Sequence, residues 1–180
     1  KMNVTIPSYA KKIMEMLNGA GFEAYVVGGA VRDVLLNLVP EDFDITTSAR
    51  PEEVLQLARE RQIKTVEKLG RNYGVVMLVL EGRPVEVATF RGERYGTDPH
   101  RPVQVWYCDQ LKEDLGRRDF TVNAMALDAE GQLYDFYGGQ EDLRRRVLRT
   151  VGEARLRYGE DALRMYRACR LVAQLDFAYQ

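Results

Sequence analysis

The chain has 180 residues and a formal net charge of −1, with 46% hydrophobic and 29% charged residues. That balance suits one globular domain, or one domain and the start of a second, and it excludes disorder, collagen and coiled coil as the main state. No apolar run reaches the ~20 residues of a membrane helix, and two cysteines with one histidine make neither a disulfide framework nor a standard zinc site. The N-terminal Lys-Met-Asn-Val-Thr-Ile-Pro lacks the apolar stretch of a secretory signal, so a soluble cytoplasmic protein is expected.

Ser8 reads as the N-cap of a helix carrying Ile13, Met16 and Leu17, stopped by Gly19 and Gly21. Glu23 to Gly28 is short and rich in β-formers, a strand, and Gly28-Gly29 then opens a helical stretch from Ala30 to Asn37. Asp42 to Thr47 alternates with period two, a second strand. Pro51 with Glu52 and Glu53 makes a good first helical turn, running to about Arg61. Val75–Leu80 and Pro84–Phe90 read as a hairpin around Glu81-Gly82-Arg83. Residues 91–106, with two prolines, Gly92 and Gly96, are expected to be a long polar loop. From Asp109 onward the pattern is mostly helical, apart from a strand near Gln132–Phe136. The fold class is therefore α+β, followed by helices, with a hinge near Gly138-Gly139. We divide the chain there, into residues 1–138 and 139–180.

The charge is unevenly spread. Residues 1–143 carry 17 Lys and Arg against 23 Asp and Glu, whereas residues 144–180 carry 9 Arg, no Lys and 4 acids. An Arg-only basic segment fits anion recognition, and it equally fits a solvated helix face.

Two constellations carry chemistry. In Gly28-Gly-Ala-Val-Arg-Asp33 two glycines allow close backbone approach to a ligand, the helix start offers unpaired N–H groups, and Arg32 adds a fork suited to phosphate. A tight strand-to-helix turn would need glycine in any case, and the spacing is neither a Rossmann fingerprint nor a P-loop. In Asp42-Phe-Asp44, residues two apart on a strand face the same way, so both carboxylates project together while Phe43 turns inward. Paired carboxylates repel unless a cation lies between them, and Mg²⁺ is the economical choice. The alternative is an edge strand with a polar outer face. Taken in order, about ten residues apart, the two motifs fit a turn that holds a triphosphate beside a strand that holds metals.

This spacing resembles the nucleotidyltransferase superfamily that contains DNA polymerase β. It is most similar to the class II tRNA nucleotidyltransferases (CCA-adding enzymes) and the bacterial poly(A) polymerases. The resemblance covers about residues 22–177 and includes three later segments. Arg117-Arg-Asp-Phe-Thr-Val-Asn-Ala124 resembles the ribose-contacting motif, Phe136 to Leu143 the hinge between head and neck, and Glu160 to Arg167 the base-selecting motif. It implies a DNA polymerase β-like head with a small mixed β-sheet and helices, followed by an α-helical neck that in the family continues into a longer body and tail. It also implies template-independent addition of CMP and AMP to the 3′ end of tRNA, from CTP and ATP with Mg²⁺.

By that resemblance Asp42 and Asp44 hold the metals and Gly28, Gly29 and Arg32 the triphosphate. Arg118 and Asp119 contact the sugar, Asp161 and Arg164 select the base, and Arg167 and Arg170 support nucleotide or primer. Asp161 and Arg164 are i,i+3 neighbours on a helix and can offer acceptor and donors side by side; an ordinary surface ion pair fits the same spacing. Glu86, on the hairpin strand, is a candidate third acid near the metals and is not counted among the metal-holding residues. Gly70 to Val76 looks more like the CCA-adding pattern than the poly(A) pattern, with Val75 where a threonine is usual. The segment Arg91 to Pro102 resembles the flexible loop used for adding the terminal A. An A-adding enzyme, a poly(A) polymerase and a silent nucleotide- or RNA-binding module remain alternatives.

Overall fold

The computed structural model describes residues 5–66, 74–95, 102–152, 175 and 178–179. In chain order, α1 (Ser8–Gly19), β1 (Ala24–Val27), α2 (Gly29–Leu35), β2 (Asp44–Thr47) and α3 (Pro51–Glu60) come first. Strands β3 (Lys64–Val66), β4 (Val75–Leu80), β5 (Arg83–Thr89), β6 (Arg91–Tyr95) and β7 (Pro102–Tyr107) follow. The remainder is α4 (Leu111–Gly116), β8 (Ala126–Leu127), β9 (Leu133–Tyr134), α5 (Gly139–Arg145), β10 (Val147–Leu148) and β11 (Ala178–Tyr179).

Seven strands form one mixed sheet in the order β3-β4-β5-β2-β1-β8-β9. At its centre β2 runs antiparallel to β1 and parallel to β5, so the expected α+β head with a small mixed sheet is what the chain adopts. β1 is buried on both faces, and its alternation sorts the core into two layers. Ala24 and Val26 join Ile45, Val85 and Val87 beneath α1 and α3. α1 meets this layer with Ala10, Ile13, Met14 and Leu17, the spacing of one helical face. Tyr25 and Val27 point the other way, into a smaller cluster with Phe90, Ala126, Leu111 and Leu115 that seats α4.

Three sequence expectations need correction. Ser8 is the first helical residue and Pro7 takes the cap position, so the Ser8 hydroxyl is released to donate to Glu81 Oε2 at 3.0 Å. Within residues 91–106, β6 and β7 pair antiparallel from Arg91↔Tyr107 to Tyr95↔Pro102; the loop expectation gave too much weight to proline and glycine. The stretch after Asp109 is not mostly helical among the described residues, because β8 adds to the central sheet and β10 pairs in parallel with β11. Leu143 and Leu148, beyond the division at residue 138, are buried in the same layer as Val122 and Met125. Among the described residues no helix is long and apolar enough to cross a membrane.

Candidate active site

The site begins with register. Val27, the last residue of β1, pairs with Asp44, the first of β2, so the turn Gly28-Gly29 leaves the sheet beside that carboxylate. Gly28 takes φ 75° and ψ −142°, a conformation essentially reserved for glycine. Along the segment entering β2, Asp42 and Asp44 are exposed while Phe43 and Ile45 are buried, as the period-two reading expects. Asp42 lies two residues ahead of the strand, not within it. Both acids line a cleft of about 600 Å³ together with Gly29, Arg32, Glu41 and Leu175. Two neighbouring clefts, of about 630 and 640 Å³, hold neither the glycine turn nor the acid pair.

The register Ile45↔Val87 between parallel β2 and β5, continued by one residue, sets Glu86 beside Asp44 on the same face of the sheet. Glu86 is half-buried. No cluster of three metal-ligating side chains is present among the described residues.

Arg32 is nearly buried at 9% exposure. Its Nη1 donates to Asn123 Oδ1 at 3.0 Å, and its Nε donates to Asp33 Oδ1 at 3.1 Å. Asn123 Nδ2 in turn donates to Asp119 Oδ1 at 3.4 Å, so the phosphate-suited arginine and the acid of Arg117-Arg-Asp119 belong to one hydrogen-bonded chain. Arg118 reaches the same turn: its Nη1 lies 3.7 Å from where a Cβ on Gly28 would stand. Burial pushes the Arg118 guanidinium below its ordinary value, the Arg117 charge adds to the push, and Asp114 opposes it. Its Nε is buried without a hydrogen-bond acceptor among the described residues. A partly desolvated cation whose Nη1 stands beside the glycine turn is suited to an anionic or hydroxyl-bearing ligand.

Sequence reasoning missed Asp114. This carboxylate is wholly buried on α4. It accepts from the Thr46 hydroxyl at 3.1 Å, the Arg91 backbone N–H at 2.9 Å, and the Arg117 Nε and Arg118 Nη2 at 3.4 Å each. Thr46 follows Asp42 and Asp44 on the same side of the β2 segment, so the acid face, the first residue of β6 and both arginines meet on one side chain. Its i,i+3 and i,i+4 spacing to Arg117 and Arg118 was the available signal. Asp161, Arg164, Arg167 and Arg170 lie outside the described residues. The structure thus gathers Gly28, Gly29, Arg32, Asp42, Asp44, Arg118 and Asp119 around one end of β1 and β2.

Two exposed carboxylates with oxygen ligands facing a cleft are the donor set that a hard divalent cation takes. The glycine turn and the arginines beside them provide close approach and positive charge for phosphate. The arrangement therefore offers a hard cation and a phosphate-bearing ligand adjoining places at one end of β1 and β2.

Residues 24–149 match the family described as Poly A polymerase head domain. The chain is 51% identical over 166 residues to the CCA-adding enzyme of Geobacillus sp. (strain WCH70), covering 92% of this chain and 40% of that relative. Among solved structures, the Bacillus stearothermophilus CCA-adding enzyme in complex with CTP is similar with a TM-score of 0.84 and 44% identity, over 98% of this chain and 42% of that one. The Thermotoga maritima CCA-adding enzyme complexed with tRNA-CCA is similar with a TM-score of 0.75 and 29% identity, over 99% of this chain and 40% of that one. The chain spans about two fifths of the length of these relatives.

Proposed function

The chain belongs to the poly(A) polymerase head-domain family, and from that premise we propose that it is the catalytic part of a CCA-adding tRNA nucleotidyltransferase. It is cytoplasmic, joins CMP and AMP to the 3′ end of tRNA from CTP and ATP, releases pyrophosphate, and uses no template. The observation that carries this reading is the shared exposure of Asp42 and Asp44 on the cleft that also holds Gly29 and Arg32.

Asp42 and Asp44 would hold two Mg²⁺, with Glu86 as an adjoining acid. Bound there, the ions supply charge that acidifies the attacking 3′-hydroxyl and stabilises the departing pyrophosphate. The chain's own residues do the rest. Gly28 and Gly29 let the triphosphate approach the backbone, and Arg32, anchored by Asn123 and Asp33, meets its charge without reorganising. Arg118 and Asp119 take the sugar hydroxyls, Asp114 having oriented the arginine. Asp161 and Arg164 offer an acceptor and donors to the base edge, which favours C and A over U and G. Arg167 and Arg170 steady the nucleotide or primer. We also place the head at residues 1–138 and the start of the neck at 139–180, the two sharing a core through Leu143 and Leu148.

The test is extension of a tRNA that ends at its discriminator base, with labelled CTP alone, ATP alone and both. Ordered addition of CCA supports the proposal. Unlimited addition of A to any RNA would identify a poly(A) polymerase, the activity whose name the matched head-domain family carries. Triphosphate binding without extension would identify a binding module. Asp42→Ala should abolish incorporation while circular dichroism stays unchanged, and retained incorporation would refute the metal assignment.

A further inference from the structure

Asp42 stands outside β2, so the sheet does not by itself fix it, yet its flanking residues are tethered from a distant hairpin. The turn joining β4 to β5 is Glu81-Gly82, with φ 53° and 73°. This left-handed pair matches the twist of the two strands and places Arg83 rigidly at the start of β5. Glu81 fastens the turn to α1 by accepting from the Ser8 hydroxyl at 3.0 Å and pairing with Lys12 at 3.5 Å. Tyr9, the next residue of α1, receives the Arg83 guanidinium over its ring at 5.2 Å, a favourable cation–π distance. From that seat Arg83 Nη2 donates to the Glu41 carbonyl at 2.8 Å. The same Tyr9 ring meets Phe43 edge-on at 6.2 Å. Glu41 and Phe43 are thus held from one platform, with Asp42 between them.

We propose that Arg83 is a positioning residue for Asp42: by holding the Glu41 carbonyl it sets the direction in which this carboxylate enters the cleft. The inference rests on the reading of Asp42 as a metal-holding acid. It explains why an exposed arginine far in sequence from the motifs is engaged by a backbone carbonyl, a bond that fixes the chain more firmly than a contact between two mobile side chains does.

The test is titration of the chain with Mn²⁺, a spin-active stand-in for Mg²⁺, followed by electron paramagnetic resonance. Removing a positive charge near the acids would, by Coulomb's law alone, tighten binding of a cation. Loss of the tether predicts the opposite. Arg83→Met, which keeps an apolar stem without a donor, should weaken Mn²⁺ binding about 10-fold, the scale of lost outer-shell support at metal sites. Arg83→Lys, which keeps a donor, should recover most of it. Asp42→Ala serves as the control for the underlying reading. Unchanged or tighter binding in Arg83→Met, alongside loss in Asp42→Ala, overturns the role of Arg83 alone. Equal weakening in the Met and Lys variants also overturns it, because the donor is then not what matters. Unchanged binding in Asp42→Ala overturns the metal reading itself.

Discussion

Asp114→Ala removes an acceptor shared by Thr46, Arg91, Arg117 and Arg118. The carboxylate is fully buried, and the Arg117 and Arg118 side chains retain 16% and 19% exposure. Breaking a buried, hydrogen-bonded charge pair costs about 3–5 kcal/mol, because the remaining partner stays desolvated. Here the two arginine contacts are long, at 3.4 Å, and the guanidiniums keep some access to water, which places the loss near the lower end, about 3 kcal/mol. For a chain of this size that is a fall in melting temperature of about 6–12 °C. Asp114→Asn keeps shape and one oxygen acceptor and should lose about half as much. Urea unfolding followed by Trp106 fluorescence reads both variants; this sole tryptophan donates to Glu113, next to Asp114. A loss below about 1 kcal/mol in the alanine variant, the worth of an ordinary hydrogen bond, would refute Asp114 as the anchor of both arginines.

Gly28→Ala should cost about 1–3 kcal/mol through its backbone conformation. The new Cβ would make ordinary contact with Arg118 at 3.7 Å, so an unchanged melting temperature would show that the turn accepts any residue. Glu141 should titrate near 2 by carboxyl NMR, held down first by the hydrogen bond from Arg144 and then by the Arg144 and Arg145 charges. Its folded value is depressed, so the pairing is fully present above the ordinary 4.5 and is lost as pH falls through about 2. Arg144→Ala or high salt should return the midpoint upward, and a midpoint of 4.5 in the parent chain would contradict the pairing. Asp161→Ala should blur the choice between C or A and the other bases more than it weakens triphosphate binding, and unchanged selectivity would remove Asp161 from base choice.

What was legible in the sequence was local. Alternation of Asp42, Phe43, Asp44 and Ile45 sufficed to place both acids on one side, because the strand period is strict and Phe43 and Ile45 must be buried. The hairpin of β4 and β5 was legible because Glu81-Gly82 punctuates two apolar runs. Pairing between distant segments was not. Nothing in Asp44–Thr47 announces that it lies parallel to β5, and β8, with two residues, is too short for any periodicity. Asp114 was half visible: its helical spacing to Arg117 and Arg118 can be read, while its bonds to Thr46 and to the Arg91 backbone cross 68 and 23 residues. The β6–β7 ribbon was not legible because proline and glycine weigh against strands in a sequence, although an edge ribbon tolerates both.

Asn123 accepts from Arg32 and donates to Asp119, and that double duty limits redesign. A variant library aimed at deoxynucleotides or altered sugars would naturally target the Asp119 end. On the roles proposed for Asp119 and Arg32, an exchange at Asn123 made to alter the sugar contact also removes the acceptor of Arg32 Nη1 and leaves that guanidinium to Asp33. Under that proposal sugar tolerance and phosphate grip are wired in series, and selection for the first would need a compensating change near Arg32 to keep the second.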